Sequence, residues 1–168
     1  MSSGEAFFVP VRTKEQMEEI ALLAIPVWHE HYDEIIGSTQ VTYMLRKFQS
    51  LDAIREQIQN QDYCYYQVSC GGELAGYFSI QLQADSLFLS KLYLAKKFRG
   101  KGCAREILRF ITGLGTGKGL HKVWLTVNKE NLETIKIYEH LGFVKERTQI
   151  AEIGDGFVMD DYIMAKIL

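Results

Sequence analysis

Lys96-Lys97-Phe98-Arg99-Gly100-Lys101-Gly102-Cys103-Ala104-Arg105 is the stretch on which the reading of the fold turns. It follows residues 87–94, which read as a strand, and leads into Ala104, Ile107, Leu108 and Ile111, which recur at helical spacing. A strand, a glycine-rich turn and a helix in succession bring several backbone amides to a helix N-terminus, where they converge on one anion. Six cations, Lys91, Lys96, Lys97, Arg99, Lys101 and Arg105, fall between positions 91 and 105 with no acidic residue among them. A solvated basic turn before an ordinary helix has the same composition, and a short glycine motif does not by itself separate the two.

Working outward, residues 63–69, a Gly71-Gly72 turn and residues 74–82 read as a hairpin. Upstream of the hairpin the period is helical. Thr13 is placed to cap a helix carrying Met17, Ile20, Ala21 and Ala24, which Pro26 is expected to interrupt. A second helical stretch, 27–36, is expected to end at Gly37, with further helix at 43–48 and 53–58, while 7–12 reads as a short strand. Downstream, 122–127 reads as a strand and 132–141 as a helix, and 143–153 and 157–167 pair around Gly154-Asp155-Gly156. The result is an α/β chain of the mixed α+β kind.

With 168 residues, 47% hydrophobic and 24% charged, one domain over positions 1–168 is expected. The net charge of -2 and pI near 6.1 argue against a surface built for nucleic acid or anionic membrane, so an anion site must be local. Cys64, Cys70 and Cys103 form no CxxC pair, which disfavours a zinc cluster or disulfide framework and fits a reducing cytosol. The first residues lack a basic segment followed by an apolar core, and no apolar run approaches about 20 residues, so a cytoplasmic location is expected.

A second motif lies beyond the strand 122–127, in Asn128-Lys129-Glu130-Asn131 and the helix carrying Tyr138, Leu141, Gly142 and Phe143. Taken with Arg99-x-x-Gly102-x-Ala104, it resembles the GNAT superfamily of N-acetyltransferases, whose two signature segments appear here in order. Asn131 and Tyr138 match the second signature, as do Gly142 and Phe143, with Thr134 in place of the usual alanine. The resemblance implies a central mixed, mostly antiparallel sheet of about seven strands flanked by helices. It also implies acetyl-CoA as cosubstrate, an acyltransferase activity on an amine, and no metal. The shorter segments Tyr43-Met44-Leu45 with Phe48, Gly76-Tyr77, and Asp161-Tyr162-Ile163-Met164-Ala165-Lys166 resemble bacterial spermine/spermidine N-acetyltransferases of the PaiA type.

By this resemblance, Leu92, Tyr93 and Leu94 pair with the pantetheine arm, and Arg99, Gly100, Lys101, Gly102, Cys103, Ala104 and Arg105 cradle the pyrophosphate. Asn131 positions the CoA and Tyr138 protonates the leaving thiolate. A primary ammonium of pKa about 10.4 must lose its proton before it attacks a thioester, which costs roughly 4.6 kcal/mol at pH 7. A base or water chain must therefore assist. Where some family members carry a glutamate, this chain has Ser90 and Lys91, so Glu30 and His31, in the helical region that the resemblance sets over the acceptor, become the proton carriers to consider. The ordinary reading of Tyr138 is a core aromatic and of Asn131 a helix-start residue.

His29 and His31, two apart, do not share a helix face, so a metal site is disfavoured. The run 113–119 resembles a Walker loop but has Thr112 in place of the first glycine and Gly119 in place of the magnesium-binding hydroxyl, and reads as a helix cap and turn. No Gly-x-Gly-x-x-Gly follows a strand, so NAD is disfavoured. The remaining alternatives are a peptide or protein N-terminal acetyltransferase, another small-amine acetyltransferase, and a non-catalytic acetyl-CoA sensor; a nucleic-acid adaptor lacks an aromatic platform. The expected acceptor is a small polycationic amine such as spermidine or spermine, since Glu15, Glu18, Glu19, Glu30, Asp33 and Glu34 lie in 15–36 with no Lys or Arg. A homodimer is left open.

Overall fold

In the computed structural model, which describes residues 5–168, Thr13 opens the first helix: its hydroxyl accepts the Gln16 amide while the Gln16 carboxamide accepts the Thr13 amide. This helix, α1 (Lys14–Ile36), runs unbroken through Pro26, contrary to the expected interruption. Proline removes one intrahelical bond, but its ring is exposed here, and Val27 and Trp28 bury the opposite side immediately after it. The bond from Trp28 Nε1 to the Tyr77 hydroxyl, 2.8 Å, holds the second half in place. Gly37, at φ 87°, ends α1. Helices α2 (Ser38–Phe48) and α3 (Leu51–Asn60) follow, each longer than its apolar periodicity marks out, and Ser50 caps α3 by accepting the Ala53 amide.

The strands are β1 (Ala6–Pro10), β2 (Tyr63–Cys70), β3 (Glu73–Leu82), β4 (Ser86–Leu94), β5 (Lys122–Asn128), β6 (Val144–Gly154) and β7 (Phe157–Ile167). They form a seven-stranded sheet in the order β1-β2-β3-β4-β5-β7-β6. Pairing is antiparallel for β1–β2, β2–β3, β5–β7 and β6–β7, and parallel for β4–β5 from Ser86–Lys122 to Phe88–Trp124. Two further helices, α4 (Cys103–Gly117) and α5 (Leu132–His140), complete the mixed α/β fold. The glycine-rich run after position 112 is only partly a cap, because Gly113 and Gly115 lie inside α4; a Cβ on Gly115 would meet Leu168 Cδ1 at 2.7 Å.

The chain divides into two compact units: the first runs to Gln81 and adds Lys91–Ile107, the second joins Leu82–Ser90 to Leu108–Leu168. In the first, Met17, Ile20, Ala24, Val27 and Trp28 of α1 are buried and α1 packs on α2 and α3. A chain of buried hydrogen bonds runs through this core. Trp28 donates to Tyr77, Tyr77 to the Gln49 carboxamide oxygen, the Gln49 amide to the Tyr65 hydroxyl, Tyr65 to Gln57, and Gln57 to the Phe48 carbonyl. In the second unit, Val123, Leu125, Val127, Ile135, Phe143 and Met164 are buried.

Candidate functional site

In the first unit the site begins where β3 meets the end of β4. A Cβ on Gly76 would lie 2.1 Å from the Tyr93 carbonyl oxygen and 3.0 Å from Leu94 Cα, so only glycine lets the two backbones close to this distance. The Ala95 amide then bonds to the Ala75 carbonyl at 2.8 Å, and a 3-10 turn, Lys96–Phe98, carries the chain to Arg99. Gly100 and Gly102 take φ 75° and 85°, backbone that other residues rarely adopt. The first intrahelical bond of α4 runs from the Glu106 amide to the Gly102 carbonyl, 3.1 Å. The amides of Cys103, Ala104 and Arg105 precede it and have no partner within the helix. Buried Cys103, its Sγ 3.3 Å from Cys70 Sγ, anchors this first turn to β2.

The six cations do not converge on that turn. Lys97 pairs with Glu73 at 2.5 Å. Arg99 donates from Nε to the Leu94 carbonyl, 2.9 Å, and from Nη2 to Glu30, 3.1 Å. Lys91 lies beside the Tyr63 ring, 5.6 Å from its centroid, where burial pushes its pKa down to about 8. Lys96, Lys101 and Arg105 are exposed.

Trp28, His31 and Tyr32, spaced three and four apart on α1, converge on Tyr93. Its ring centroid lies 5.1 Å from that of Trp28 and 5.6 Å from that of His31, and its hydroxyl is 2.9 Å from the Tyr32 hydroxyl. Nε2 of His31 is buried and has no hydrogen-bond partner among the described residues. Burial first, then the Arg99 charge, lowers the His31 pKa to about 4, with the Leu94 backbone opposing. The imidazole is therefore neutral at pH 7, one nitrogen donor and the other acceptor. Of the acidic residues of α1, Glu18 pairs with Lys14 at 3.6 Å, and about 18 Å of helix separates it from Glu30. Asp33 faces His29 at 2.6 Å.

In the second unit, β5 ends at buried Asn128, whose Oδ1 accepts the Glu130 amide at 2.9 Å and whose carbonyl accepts the Asn131 amide at 3.0 Å. Asn131 occupies the N-cap position of α5, yet its carboxamide makes no capping bond. Tyr138 is buried with its ring edge-on to Phe143, centroids 5.5 Å apart, and its carbonyl accepts the Phe143 amide at 3.0 Å. Gly142, at φ 97°, makes that return possible, and Lys166 reaches the Leu141 carbonyl at 2.9 Å.

Of the residues singled out in the sequence, the structure brings Glu30 and Leu94 onto Arg99 and His31 against Tyr93 in the first unit, and sets Asn131 and Tyr138 on one helix in the second. Sequence reasoning misses the special position of Asp161. This β7 residue is 6% exposed, its Oδ1 has no partner among the described residues, and its pKa is raised to about 6, first by burial and then by Asp160, against Lys129. A period-two count from Ile163 and Ala165 sets Asp161 in the inward phase and signals it. Among the described residues no group of three or more His, Cys, Asp or Glu could hold a metal, and no helix is long and apolar enough to cross a membrane.

The chain is similar to the ribosomal protein bS18-alanine N-acetyltransferase of Escherichia coli, 26% identical over 85 residues, which cover 51% of this chain and 57% of that protein. Across the curated relatives it matches, the shared stretch spans between 22% and 62% of the relative's own length. Among solved structures, the PaiA N-acetyltransferase of Thermoplasma acidophilum in complex with coenzyme A superposes with TM-score 0.81 at 20% identity, covering 98% of this chain and 99% of that one. A point mutant of the SpeG spermidine N-acetyltransferase of Vibrio cholerae does so with TM-score 0.66 at 18% identity, covering 96% and 93%. The model of the acetyltransferase (GNAT) family matches residues 25–143, from the second half of α1 to the Phe143 that closes on Tyr138, and the chain belongs to that family.

Proposed function

We propose that residues 1–168 form a single cytoplasmic N-acetyltransferase domain that moves the acetyl group of acetyl-CoA to a primary amine, the preferred acceptor being a small polycation such as spermidine or spermine. The observation that carries this reading is the family match together with the turn at Gly100–Arg105. Its three amides lack intrahelical partners, its two glycines leave the approach clear of Cβ atoms, and Lys101 and Arg105 are exposed beside it. A diphosphate fits such a donor set.

In this reading Leu92, Tyr93 and Leu94 offer backbone to the pantetheine arm and Asn131 contributes its carboxamide, which the helix cap does not use. The amine nitrogen attacks the thioester carbonyl, the C–S bond breaks, and the Tyr138 hydroxyl gives its proton to the leaving thiolate. His31, neutral at pH 7, relays the ammonium proton through Nε2 and water. Glu30 sets the field beside it while paired to Arg99.

The polycation preference draws on the likeness to PaiA and SpeG and on Glu30, Asp33 and Glu34 at the C-terminal end of α1. The relative that acetylates the alanine of bS18 favours a second reading, a peptide N-terminus. Release of CoA with spermidine, spermine, aminoglycosides, amino acids and alanine-initiated peptides, at low and high salt, tests both. Spermidine should lead, with its advantage shrinking as salt screens the carboxylates. A peptide tenfold better in kcat/KM would overturn the acceptor while leaving the acetyltransferase, and no CoA release with any amine would leave a sensor.

A further inference from the structure

Asp161 is a buried carboxylate on an internal strand, next to the edge strand β6, and no described residue donates to its Oδ1. β7 is flanked on both sides, with Asp161 opposite Asn128 of β5 and Gln149 of β6, so its backbone is engaged while its Oδ1 is not. Lys129, the cation whose charge acts on Asp161, is committed elsewhere: its Nζ lies 2.7 Å from Asp160 and over the Tyr162 ring. Opposite Asp161, Asn128 spends its carboxamide oxygen on the Glu130 amide. Burying a carboxylate oxygen without a donor is costly, so this one calls for a donor from outside the described residues. The strand also fixes which side the carboxylate takes. Lys166, on the other face of β7 by the period-two rule, reaches the C-terminal end of α5, so Asp161 looks away from α5. It stands at the end of β5 that leads, through the Asn131 amide bonded to Asn128, into the Asn131–Tyr138 motif.

We propose that Asp161 is the anionic anchor for an ammonium group of the acceptor, its Oδ1 accepting the hydrogen bond that no described residue provides. The assignment rests on the amine-acetyltransferase reading and adds to it a specificity residue on β7. An ammonium offers three donors and the compensating charge, whereas a neutral or anionic acceptor lacks that charge.

The test uses the full chain with spermidine. Asp161→Asn keeps the shape and removes the charge. Its KM for spermidine should rise about tenfold or more, with KM for acetyl-CoA within about twofold. Its melting temperature without ligand should equal or exceed that of the wild type, since a dry carboxylate has been neutralised, and spermidine should no longer raise it. The neighbouring Asp160→Asn should keep the spermidine KM within about threefold, because Asp160 is exposed and paired. Should Asp161→Asn fail to fold, carbon-13 spectra of the wild type at pH 6 decide: spermidine should drive the Asp161 carboxyl signal to its ionised position. An unchanged spermidine KM in Asp161→Asn, or no spermidine effect on either the melting or the carboxyl signal of the wild type, overturns the proposal. Failure of the acetyltransferase reading shows up separately, as absence of CoA release and of any acetyl-CoA effect on melting.

Discussion

Arg99 binds Glu30 rather than standing free beside the glycine turn: Nη2 lies 3.1 Å from Glu30 Oε2 while Nε holds the Leu94 carbonyl. The arginine of the signature therefore ties α1 to the end of β4, where His31 lies against Tyr93. The exposed charge at the turn is left to Lys101 and Arg105. The pair is itself partly exposed, so its net worth is at most about 1 kcal/mol and shrinks with salt.

His31 makes stability depend on pH. Its folded pKa of about 4 lies below the ordinary 6.5, so between those values the unfolded chain binds the extra proton. The contribution is whole above pH 6.5 and is lost as pH falls toward 4. Asp161 has the opposite sign: raised from 3.8 to about 6, it contributes fully below 3.8 and its contribution is lost as pH rises through 6. Thermal melting of His31→Asn between pH 7 and 4.5 should fall less steeply than that of the wild type, by roughly 1–3 kcal/mol over the range. Parallel curves would show that His31 is not held neutral.

Tyr77→Phe removes one hydroxyl from the buried chain and strands two groups at once, the Trp28 indole N–H and the Gln49 carboxamide oxygen. Both residues are nearly inaccessible, at 3% and 2% exposure. Urea denaturation should show a loss of about 2–4 kcal/mol, far above what one surface hydroxyl costs. A loss under about 0.5 kcal/mol would mean that the chain of bonds is not formed.

Tyr138→Phe keeps the ring that packs on Phe143 and removes only the hydroxyl, the proposed proton donor. Turnover should drop about 10- to 1,000-fold with affinity for acetyl-CoA and melting temperature nearly intact. Unchanged turnover, or a large loss of stability, would make Tyr138 a core aromatic.

Much of the fold was legible because its signals are local. The Thr13 cap, the Gly71-Gly72 turn and the switch from period 3.6 to period two each depend on neighbours a few residues away. Pro26 misled for the same reason: the cost of proline is local, but the burial of Val27 and Trp28 and the bond to Tyr77, 49 positions beyond Trp28, outweigh it. At the candidate site, the glycine turn and the Asn131–Tyr138 spacing could be read from the chain. The partners of its charges could not. The sequence clusters six cations and, separately, six carboxylates, whereas folding spends Lys97 on Glu73, Arg99 on Glu30 and Lys129 on Asp160. Asp161 shows the converse: its inward phase can be counted along the strand, but that no described residue meets its Oδ1 cannot.

Thermal melting of the wild type and of Gly102→Val, each with and without acetyl-CoA, tests the central claim most directly. A ligand that binds only the folded state raises the melting temperature by mass action. The wild type should rise by several degrees at ligand a hundredfold above Kd, where the stabilisation is about 2.7 kcal/mol. Gly102→Val, which puts a branched side chain on backbone at φ 85° and fills the open approach to the Cys103–Arg105 amides, should show no rise. Absence of a shift in the wild type at millimolar acetyl-CoA, or an equal shift in folded Gly102→Val, would contradict the assignment of this turn as the acetyl-CoA site.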